Sequence, residues 1–384
     1  MRYLRPILTL FLSLSFLSSV SAQEQKGFFG RTIDRLTAPS RQLDPNAVYQ
    51  PAPRWTFAIT GDIRKLGLFQ DNSFKTKVAI VNETLVEEVI PGLISTKLES
   101  DFTKGVGFQV GYGNLSLAWS KKFSSEGKDN AFTFDYLSAG YTVQVQFYDI
   151  SQPVSYEFLI GEEGHWAYSD EFGVTENPGR LRASIVDACY AFNRRTFAYS
   201  AAYKGNLFQR KSAGSWMLGG KLMLSEFSID PSELIALINA GTARHTSAQV
   251  SFGAGYSYNF VPFHRQPYGD RDKGLRNLTI NATFLPLVTF FNQFTATSYQ
   301  YAEENGYTVN RKDVMNGKLM ANYVARIGVG FSYNLFTANL SAGYDSFAYK
   351  GTTIIPEIGV VGDRVNTSGH FYRWTVAVRL GMRF

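Results

Sequence analysis

The chain has 384 residues, a formal net charge of +6, 15% aromatic residues and a single cysteine. One thiol excludes an internal disulfide framework and any site that needs several cysteine ligands. The positive charge is mild and forms no basic stripe, which argues against a nucleic-acid-binding protein. Abundant Tyr, Phe and Gly favour strands and turns over helices.

Residues 1–22 have the three parts of a secretory signal peptide. Arg2 and Arg5 supply the positive start, residues 7–17 the short apolar centre, and residues 18–22 the small side chains that precede cleavage near Ala22. No later apolar stretch reaches the ~20 residues of a membrane-spanning helix. A membrane location would therefore require a closed barrel, because only helices and barrels satisfy every backbone polar group in lipid.

Residues 23–53 separate the signal from the first convincing strand. A short amphipathic stretch covers residues 28–36, and a linker rich in Pro and Gln follows it. This segment could lie in the periplasm, on the membrane or inside the barrel lumen. We expect the barrel itself to occupy residues 54–384.

The last segment, 369–384, alternates between apolar and polar residues. In a strand, successive side chains point to opposite faces, and in a membrane barrel one face meets lipid and the other the lumen. The row that ends the chain resembles the edge-strand signal that outer-membrane assembly machinery recognises. This row consists of Trp374, Val376, Val378, Leu380, Met382 and Phe384.

The same alternation recurs in residues 247–260, 318–333 and 336–345. These runs exceed the ~5–6 residues of an ordinary strand and suit the ~9–11 residues of a lipid-crossing strand. The sequence therefore predicts an all-β fold, a transmembrane antiparallel up-and-down barrel of about 12 to 14 strands. The uncertainty in the count lies in residues 64–104, and a soluble β-sandwich is the alternative.

Basic residues fall on the face predicted to line the lumen, with Asp135 and Asp345 opposite in sign. A basic lumen could select anions or bind an acidic solute. The interpretation we favour is an internal ion-pair network that fills a narrow barrel. The predicted lumen residues are Lys204, Lys221, Lys318, Arg326, Arg373, Arg379 and Arg383.

Residues 191–216, AFNRRTFAYSAAYKGNLFQRKSAGSW, form the most distinctive stretch. They resemble an uncharacterised bacterial family, the domain of unknown function numbered 4421, with weaker echoes at residues 43–55 and 253–260. The resemblance implies a secreted outer-membrane β protein and supplies no catalytic residues. Within the stretch, adjacent cations and small donors could hold a phosphate or carboxylate, but we favour a turn between two strands. That turn comprises Gln209, Arg210, Lys211, Ser212 and Gly214.

The four histidines, His165, His245, His264 and His370, have no convincingly spaced catalytic partners. The acidic loop over residues 161–171 is typical of a solvated loop rather than a metal site. We therefore expect no enzyme activity, cofactor or metal.

The predicted location is the outer membrane of a Gram-negative bacterium, with membrane lipid and the assembly machinery as partners. The expected role is a small channel, a solute- or anion-binding barrel, or a structural envelope component. Two alternatives stay open: an enzyme acting on lipid or surface polymer, and a surface binding protein that works through its outer loops.

Overall fold

A computed structural model describes residues 43–51, 55–82, 84–99, 103–122, 128–162, 165–238, 241–268, 273–304, 306–354 and 364–384. The predicted signal peptide, residues 1–22, and the amphipathic stretch 28–36 lie outside these residues. No helix in the described part of the chain is both long and apolar enough to span a bilayer.

The described residues form eighteen strands, a 3-10 turn at Tyr199–Ala202 and one short helix, α1, at Leu234–Ile238. The strands, all paired antiparallel, are β1 (Val48–Tyr49), β2 (Trp55–Asn82), β3 (Thr84–Glu99), β4 (Thr103–Tyr112), β5 (Leu115–Lys122), β6 (Lys128–Leu137), β7 (Tyr141–Gln152), β8 (Ser155–Glu162), β9 (His165–Val174), β10 (Gly179–Ala191), β11 (Phe208–Gln209), β12 (Ala213–Ser228), β13 (Thr242–Arg265), β14 (Arg276–Ala302), β15 (Gly306–Asn316), β16 (Met320–Tyr333), β17 (Phe336–Ile354) and β18 (Arg364–Arg383).

The main sheet closes on itself as a ring of twelve strands. Its order is β2-β4-β5-β6-β7-β10-β12-β13-β14-β16-β17-β18. The last strand pairs with the first over a long register that places Trp374 opposite Lys65 and Arg383 opposite Thr56. The prediction of an all-β antiparallel barrel is thus confirmed, and the ring lies at the lower end of the predicted strand count.

The two ends of the ring differ in how the strands are joined. At one end, the short-turn end, tight turns at residues 113–114, 138–140 and 334–335 connect neighbouring strands. Asn334 adopts φ 53° in its turn, a conformation that asparagine tolerates well. Both ends of the ring's sequence meet here, where the Phe384 amide donates to the Trp55 carbonyl at 2.9 Å.

At the other end, the long-strand end, several strands extend beyond the ring. β3 pairs with the upper part of β2, and β15 continues β16 along β14. The β8–β9 hairpin leaves β7 and pairs with β3, above the shorter strands β5 and β6. The weak alternation of residues 75–90 has a physical reason, because a hairpin beyond the ring encloses no lumen.

Within the ring, the wall strands alternate as the sequence predicts. On β13, Ser251 is fully buried, whereas the next residue, Phe252, is 52% exposed. Farther along the strand, Asn259 is buried and Phe260 is exposed. On this strand, polar side chains therefore line the interior toward the short-turn end and large apolar side chains cover the outside, the reverse of a water-soluble barrel.

A turn at residues 230–233 leads into α1 at the long-strand end. The Asp230 carboxylate accepts hydrogen bonds from the Ser232 backbone (2.9 Å) and hydroxyl (2.7 Å), and these bonds lower the pKa of Asp230. The Glu233 carboxylate binds the amides of Glu176 and Asn177 at 3.0 and 2.6 Å. These bonds tie two connecting loops together above the ring.

Candidate functional site

The ring encloses a lumen, and a plug fills its short-turn end. We call residues 192–212, which connect β10 to β12, the plug. Its 3-10 turn, Tyr199–Ala202, is buried along its whole length. Its short strand β11 pairs with β1, so residues 43–51 are drawn in beside it. In the described part of the predicted segment 23–53, Ala47 and Val48 are buried beside the plug, whereas Pro45 and Asn46 are exposed at the short-turn end.

The Gln209 side chain holds the plug together. Its Oε1 accepts hydrogen bonds from the Ala198 amide at 2.9 Å and from Asn259 Nδ2 at 3.1 Å. Its Nε2 donates to the carbonyls of Thr196 and Lys211 at 2.6 and 2.9 Å. A fully buried amide whose donors and acceptor are all engaged fixes one geometry, because any shift would leave a polar atom unsatisfied.

Asparagines on the wall bind the plug backbone. Asn259 donates to the Ala198 carbonyl at 2.8 Å, Asn277 to the Gln209 carbonyl at 2.7 Å, and Asn339 to the Ala202 carbonyl at 3.0 Å. Gly330 of β16 leaves room for this approach, since a Cβ there would lie 2.7 Å from the Ala201 carbonyl oxygen. The inner surface of the wall is thus complementary to the plug in shape and in hydrogen bonding.

Above the plug, an ion-pair cluster crosses the lumen. Lys221 Nζ lies 3.1 Å from Asp187 Oδ1 and also bonds to Asp345 on the far side of the ring. Arg326 Nη2 bonds to Asp187 Oδ2 at 3.0 Å, and Arg373 Nε bonds to Asp345 Oδ2 at 2.8 Å. Strands β10, β12, β16, β17 and β18 are linked in this way.

Neutral partners complete the cluster. Arg326 donates to Gln144 Oε1 at 2.7 Å, and Arg373 donates to the Tyr148 hydroxyl at 2.7 Å. Because Gln144 and Tyr148 lie on β7, the cations bridge to the opposite wall as well. Paired and hydrogen-bonded charges of this kind fill space and stiffen a barrel rather than offering free sites to a solute.

The remaining predicted lumen cations surround the plug. Arg379 donates to the Lys204 carbonyl at 2.6 Å and to Asn339 Oδ1 at 3.0 Å. Arg383 donates to the Asn334 carbonyl at 2.8 Å and lies over the Phe208 ring at 4.7 Å. These arginines therefore anchor the plug and the neighbouring turn to the end of β18.

An apolar layer closes the lumen toward the long-strand end. Its centre is a stack of four rings, Phe227, His245, Phe294 and Tyr349, with successive centroids 6.1, 5.2 and 5.1 Å apart. Six other buried side chains of this layer also point into the lumen: Leu66, Leu181, Ile185, Met223, Phe347 and Phe371. The lumen thus has three layers: plug, ion pairs and hydrocarbon.

Three sequence predictions need correction. Lys318 does not face the lumen but is exposed in the connection between β15 and β16. Lys204 is buried in the lumen, but on the plug rather than on a wall strand. The residues predicted as a simple turn divide between two environments: Gln209 is inside the plug, whereas Lys211 and Ser212 are exposed at the short-turn end.

Two more residues of that predicted turn bind neighbouring segments. Arg210 Nη2 donates to Gln266 Oε1 at 2.9 Å, and Ser212 Oγ accepts from the Val261 amide at 3.0 Å. Gly214 is the second residue of β12, where an added Cβ would meet the Tyr256 side chain. Arg210 and Ser212 therefore hold neighbouring segments at the short-turn end.

The predicted assembly row lies on the outside of the ring. Trp374, Val376, Val378, Leu380 and Phe384 are exposed, and Met382 is partly exposed. The neighbouring residues Arg373, Arg379 and Arg383 are buried. The alternation that the terminal segment shows in sequence is therefore present in the fold.

Sequence reasoning missed the plug. Its signal was present in two forms: the buried positions of β13 and β14 carry Asn259, Asn277 and Asn281, and β16 carries Gly328 and Gly330 opposite the plug. Asparagines that face inward need partners, and small residues in a row leave space for one. Together they indicate a segment inside the ring.

A charged group lies outside the ring on the upper part of β2 and β3. Glu99 bonds to Lys65 Nζ at 2.8 Å and to Lys97 Nζ at 2.7 Å, and it accepts a bond from the Tyr372 hydroxyl. Partial burial raises the pKa of Glu99, but these three donors outweigh it and lower the pKa to about 2.

Nothing among the described residues assembles a metal site or a catalytic triad. No group of three metal-ligating side chains comes together in this part of the chain. The segment predicted as an acidic loop over residues 161–171 instead forms the end of β8 and most of β9, and its side chains lie outside the described part of the chain. The Ser346 Oγ lies 2.7 Å from His370 Nε2, but no described carboxylate contacts the other ring nitrogen.

The fold and the lumen define a class: a closed antiparallel β-barrel filled by its own side chains and an internal plug. The sequence matches the family described as a domain of unknown function (DUF4421) over residues 75–266, half of the chain. The chain belongs to this family, as the resemblance of residues 191–216 predicts. No curated protein matches it in sequence.

Two solved structures are similar in outline. One is the outer membrane protease OmpT from Escherichia coli, at 7% identity and a TM-score of 0.27, covering 85% of this chain and 97% of that one. The other is the P. putida toluene transporter TodX, at 7% identity and a TM-score of 0.18, covering 86% of this chain and 90% of that one. Both likenesses are too loose to specify a shared site.

Proposed function

We propose that this chain is an integral outer-membrane β-barrel of a Gram-negative bacterium, exported by residues 1–22, and that it is sealed and non-enzymatic. Its role is to anchor and present its long-strand end at the cell surface as a structural or binding element. The observation that carries the proposal is the inverted wall, polar and buried inside but apolar and exposed outside.

The height of the apolar belt supports a membrane location. On β18 the outward row runs from Trp374 to Phe384, which spans about 25 Å at ~3.3 Å per residue and a tilt of ~40°. That length matches the apolar band of about 25 Å on known membrane barrels. Only a hydrocarbon solvent would favour exposing so many large apolar side chains in one continuous belt.

Aromatic pairs at both edges of the belt support the same location. Trp55 packs with Tyr112 at 5.2 Å between centroids, near the short-turn end. Tyr344 packs with Trp374 at 4.5 Å, at the opposite edge. Aromatic side chains are enriched where a barrel crosses each membrane–water interface, because their rings are apolar and their edges polar.

The connections give the orientation. Membrane barrels have short periplasmic turns and longer extracellular segments. By this rule the short-turn end, with the plug, faces the periplasm, and the long-strand end faces outward. The outward row of β18 would then be the edge that the assembly machinery binds during insertion.

The three layers of the lumen support a sealed barrel over an open channel. A conducting pore needs a continuous water-filled path. In this lumen, the plug, the ion pairs and the apolar layer instead follow one another along the barrel axis. The lumen cations Lys221, Arg326 and Arg373 are engaged with carboxylates. We therefore favour a structural or surface-binding role over a small anion channel.

Fractionation and conductance test the proposal together. The mature chain should sediment with outer membranes, resist carbonate extraction and migrate faster unheated than boiled on gels. In planar bilayers it should give no steady conductance at 1 M salt. Recovery from the aqueous fraction would contradict the membrane location, and a stable single-channel step would contradict the sealed lumen.

A second candidate, hydrolysis of a membrane lipid, is favoured by the contact between Ser346 and His370. It ranks lower because the triad logic needs a third group to orient the histidine. Release of fatty acid from diacyl phospholipid vesicles, lost in Ser346→Ala, would support it. Absence of release by the wild-type protein would leave the non-enzymatic role.

A further inference from the structure

A row of charged residues crosses the outside of the wall on four adjacent strands. We call Asp149, Arg180, Arg182, Glu226 and Arg244 the arginine ladder; they lie on β7, β10, β12 and β13. They point outward, because the residues that alternate with them point into the lumen. Those inward residues are the buried Leu181, Ala183, Phe227 and His245.

The ladder holds three cations against two anions. Arg180 binds Asp149 through two bonds, 2.7 and 2.5 Å long, and Arg244 Nη2 lies 2.9 Å from Glu226. Arg182 lies between the two acids at longer distances, 3.9 Å from Asp149 and 3.7 Å from Glu226. The arginine side chains are 37 to 41% exposed, so each retains N–H donors that face the surroundings.

The ladder lies at a defined height on the wall. Between Trp216, at the lower aromatic edge, and Glu226, β12 climbs about 25 Å at ~3.3 Å per residue and a tilt of ~40°. Leu222 and Leu224 fill the outward positions just below Glu226, and Val250 is the outward residue beside Leu222 on β13. The guanidinium groups thus stand where the apolar belt ends.

We propose that the arginine ladder binds the phosphate groups of outer-leaflet lipid headgroups, whose acyl chains lie on Leu222, Leu224 and Val250. This inference rests on the proposed membrane location and orientation. A guanidinium fork matches a phosphate through two parallel N–H bonds, and charged side chains at the edge of a bilayer attract lipid phosphates.

The two acids explain why the ladder is ready to bind. Asp149 and Glu226 hold the three arginines in place on the wall, so less side-chain freedom is lost when a phosphate arrives. They leave one positive charge unbalanced, which a phosphate can neutralise. A lipid occupant fits better than free phosphate, since the apolar belt directly below offers a surface for acyl chains.

The test measures lipid binding by the full mature protein in detergent. Bisphosphorylated lipid A is titrated against the wild type and against the triple variant Arg180→Gln, Arg182→Gln, Arg244→Gln, with native mass spectrometry as the readout. At about 1 kcal/mol per cation, each loss weakens binding about fivefold, so the triple variant should bind about 125-fold more weakly. The matched control, Lys312→Gln with Lys318→Gln, neutralises exposed cations away from the ladder and should bind like the wild type.

Equal binding by the wild type and the triple variant, or an equal loss in the control, would overturn the proposal. Unboiled gel mobility shows that each variant is folded.

Two further arms identify the source of the phosphate. Inorganic phosphate at 20 mM should compete only weakly with lipid A, and lipid A stripped of its phosphates should bind as weakly to the wild type as to the triple variant. Full competition by inorganic phosphate would overturn the lipid assignment. Failure of the proposed membrane location is distinguishable, because the protein would then be recovered from the aqueous fraction of cells, whatever its ladder residues.

Discussion

The two halves of the lumen are closed by opposite chemistry. At the short-turn end the plug is held by directional hydrogen bonds from amides such as Gln209 and Asn277. At the long-strand end the lumen is closed by apolar contacts among rings such as Phe347 and Phe371, 5.9 Å apart. The ion-pair cluster lies between the plug and the apolar layer. Hydrogen bonds specify one position for a segment that enters from outside, whereas apolar contacts need only volume and complementary shape.

The largest expected loss in the free energy of unfolding comes from the ion-pair cluster between the two halves. Asp345→Ala would leave Arg373 buried without its carboxylate and Lys221 with Asp187 alone, and breaking a buried pair costs about 3–5 kcal/mol. Urea unfolding in detergent or lipid measures the loss. Asp313→Ala, which removes a less buried carboxylate bonded to Arg311 at the long-strand end, is the control and should cost under about 1 kcal/mol. Equal losses would mean that the cluster does not bridge the wall.

The next effect separates the plug from the apolar layer. Gln209→Ala removes the bonds to the Ala198 amide and the Thr196 carbonyl and leaves these buried groups unsatisfied, at about 2–3 kcal/mol. The expected result is a lower unfolding midpoint and faster protease cleavage within residues 192–212. Gln300→Ala, at an exposed position of β14, should change neither measurement. Unchanged cleavage of the Gln209 variant would show that the wall alone retains the plug.

A smaller effect is expected in the apolar layer. Phe347→Leu shrinks a fully buried ring and should cost about 1–2 kcal/mol, through lost contacts and a small cavity. Phe336→Leu makes the same change at an outward position and should stay within about 0.5 kcal/mol of the wild type. A reversed order would contradict the assignment of inside and outside.

The smallest effect depends on pH. The pKa of Glu99 is lowered to about 2, so its ionised form stabilises the fold above the pKa of the unfolded chain, about 4.3. That stabilisation is lost as the pH falls from about 4.3 through 2. Glu99→Gln should therefore lower the melting temperature slightly at pH 6 and not at pH 2. A difference that grows toward low pH would contradict the assigned donors, Lys65 and Lys97.

The inward or outward orientation of the wall residues could be predicted from the sequence, because it depends only on the local geometry of a strand. Ser251 and Phe252 occupy opposite faces because strand geometry alone alternates them, so burial follows from position. The same argument gives Arg373 inward and Trp374 outward at the end of the chain. Such inferences need no knowledge of which strands are neighbours.

The plug could not be predicted in the same way, because its contacts are remote in sequence. Gln209 binds Ala47 and Asn259, and Asn206 binds Asn114, pairs that no local pattern connects. Residues 209–214 have the composition of a surface turn. Gln209 is buried only because the closed ring surrounds it. The prediction that Lys318 faces the lumen was wrong for a related reason: the alternating sequence pattern of β16 extends past the point where the lumen ends.

The ring closes between its first and last strands, and this closure determines when the plug can be fully held. The plug contacts Asn114 and Leu137 near the start of the wall, but also Asn339 and Arg379 near its finish. An unfinished sheet could hold the plug on one flank only. The full set of contacts that hold the plug therefore exists only when the last strand has paired with the first.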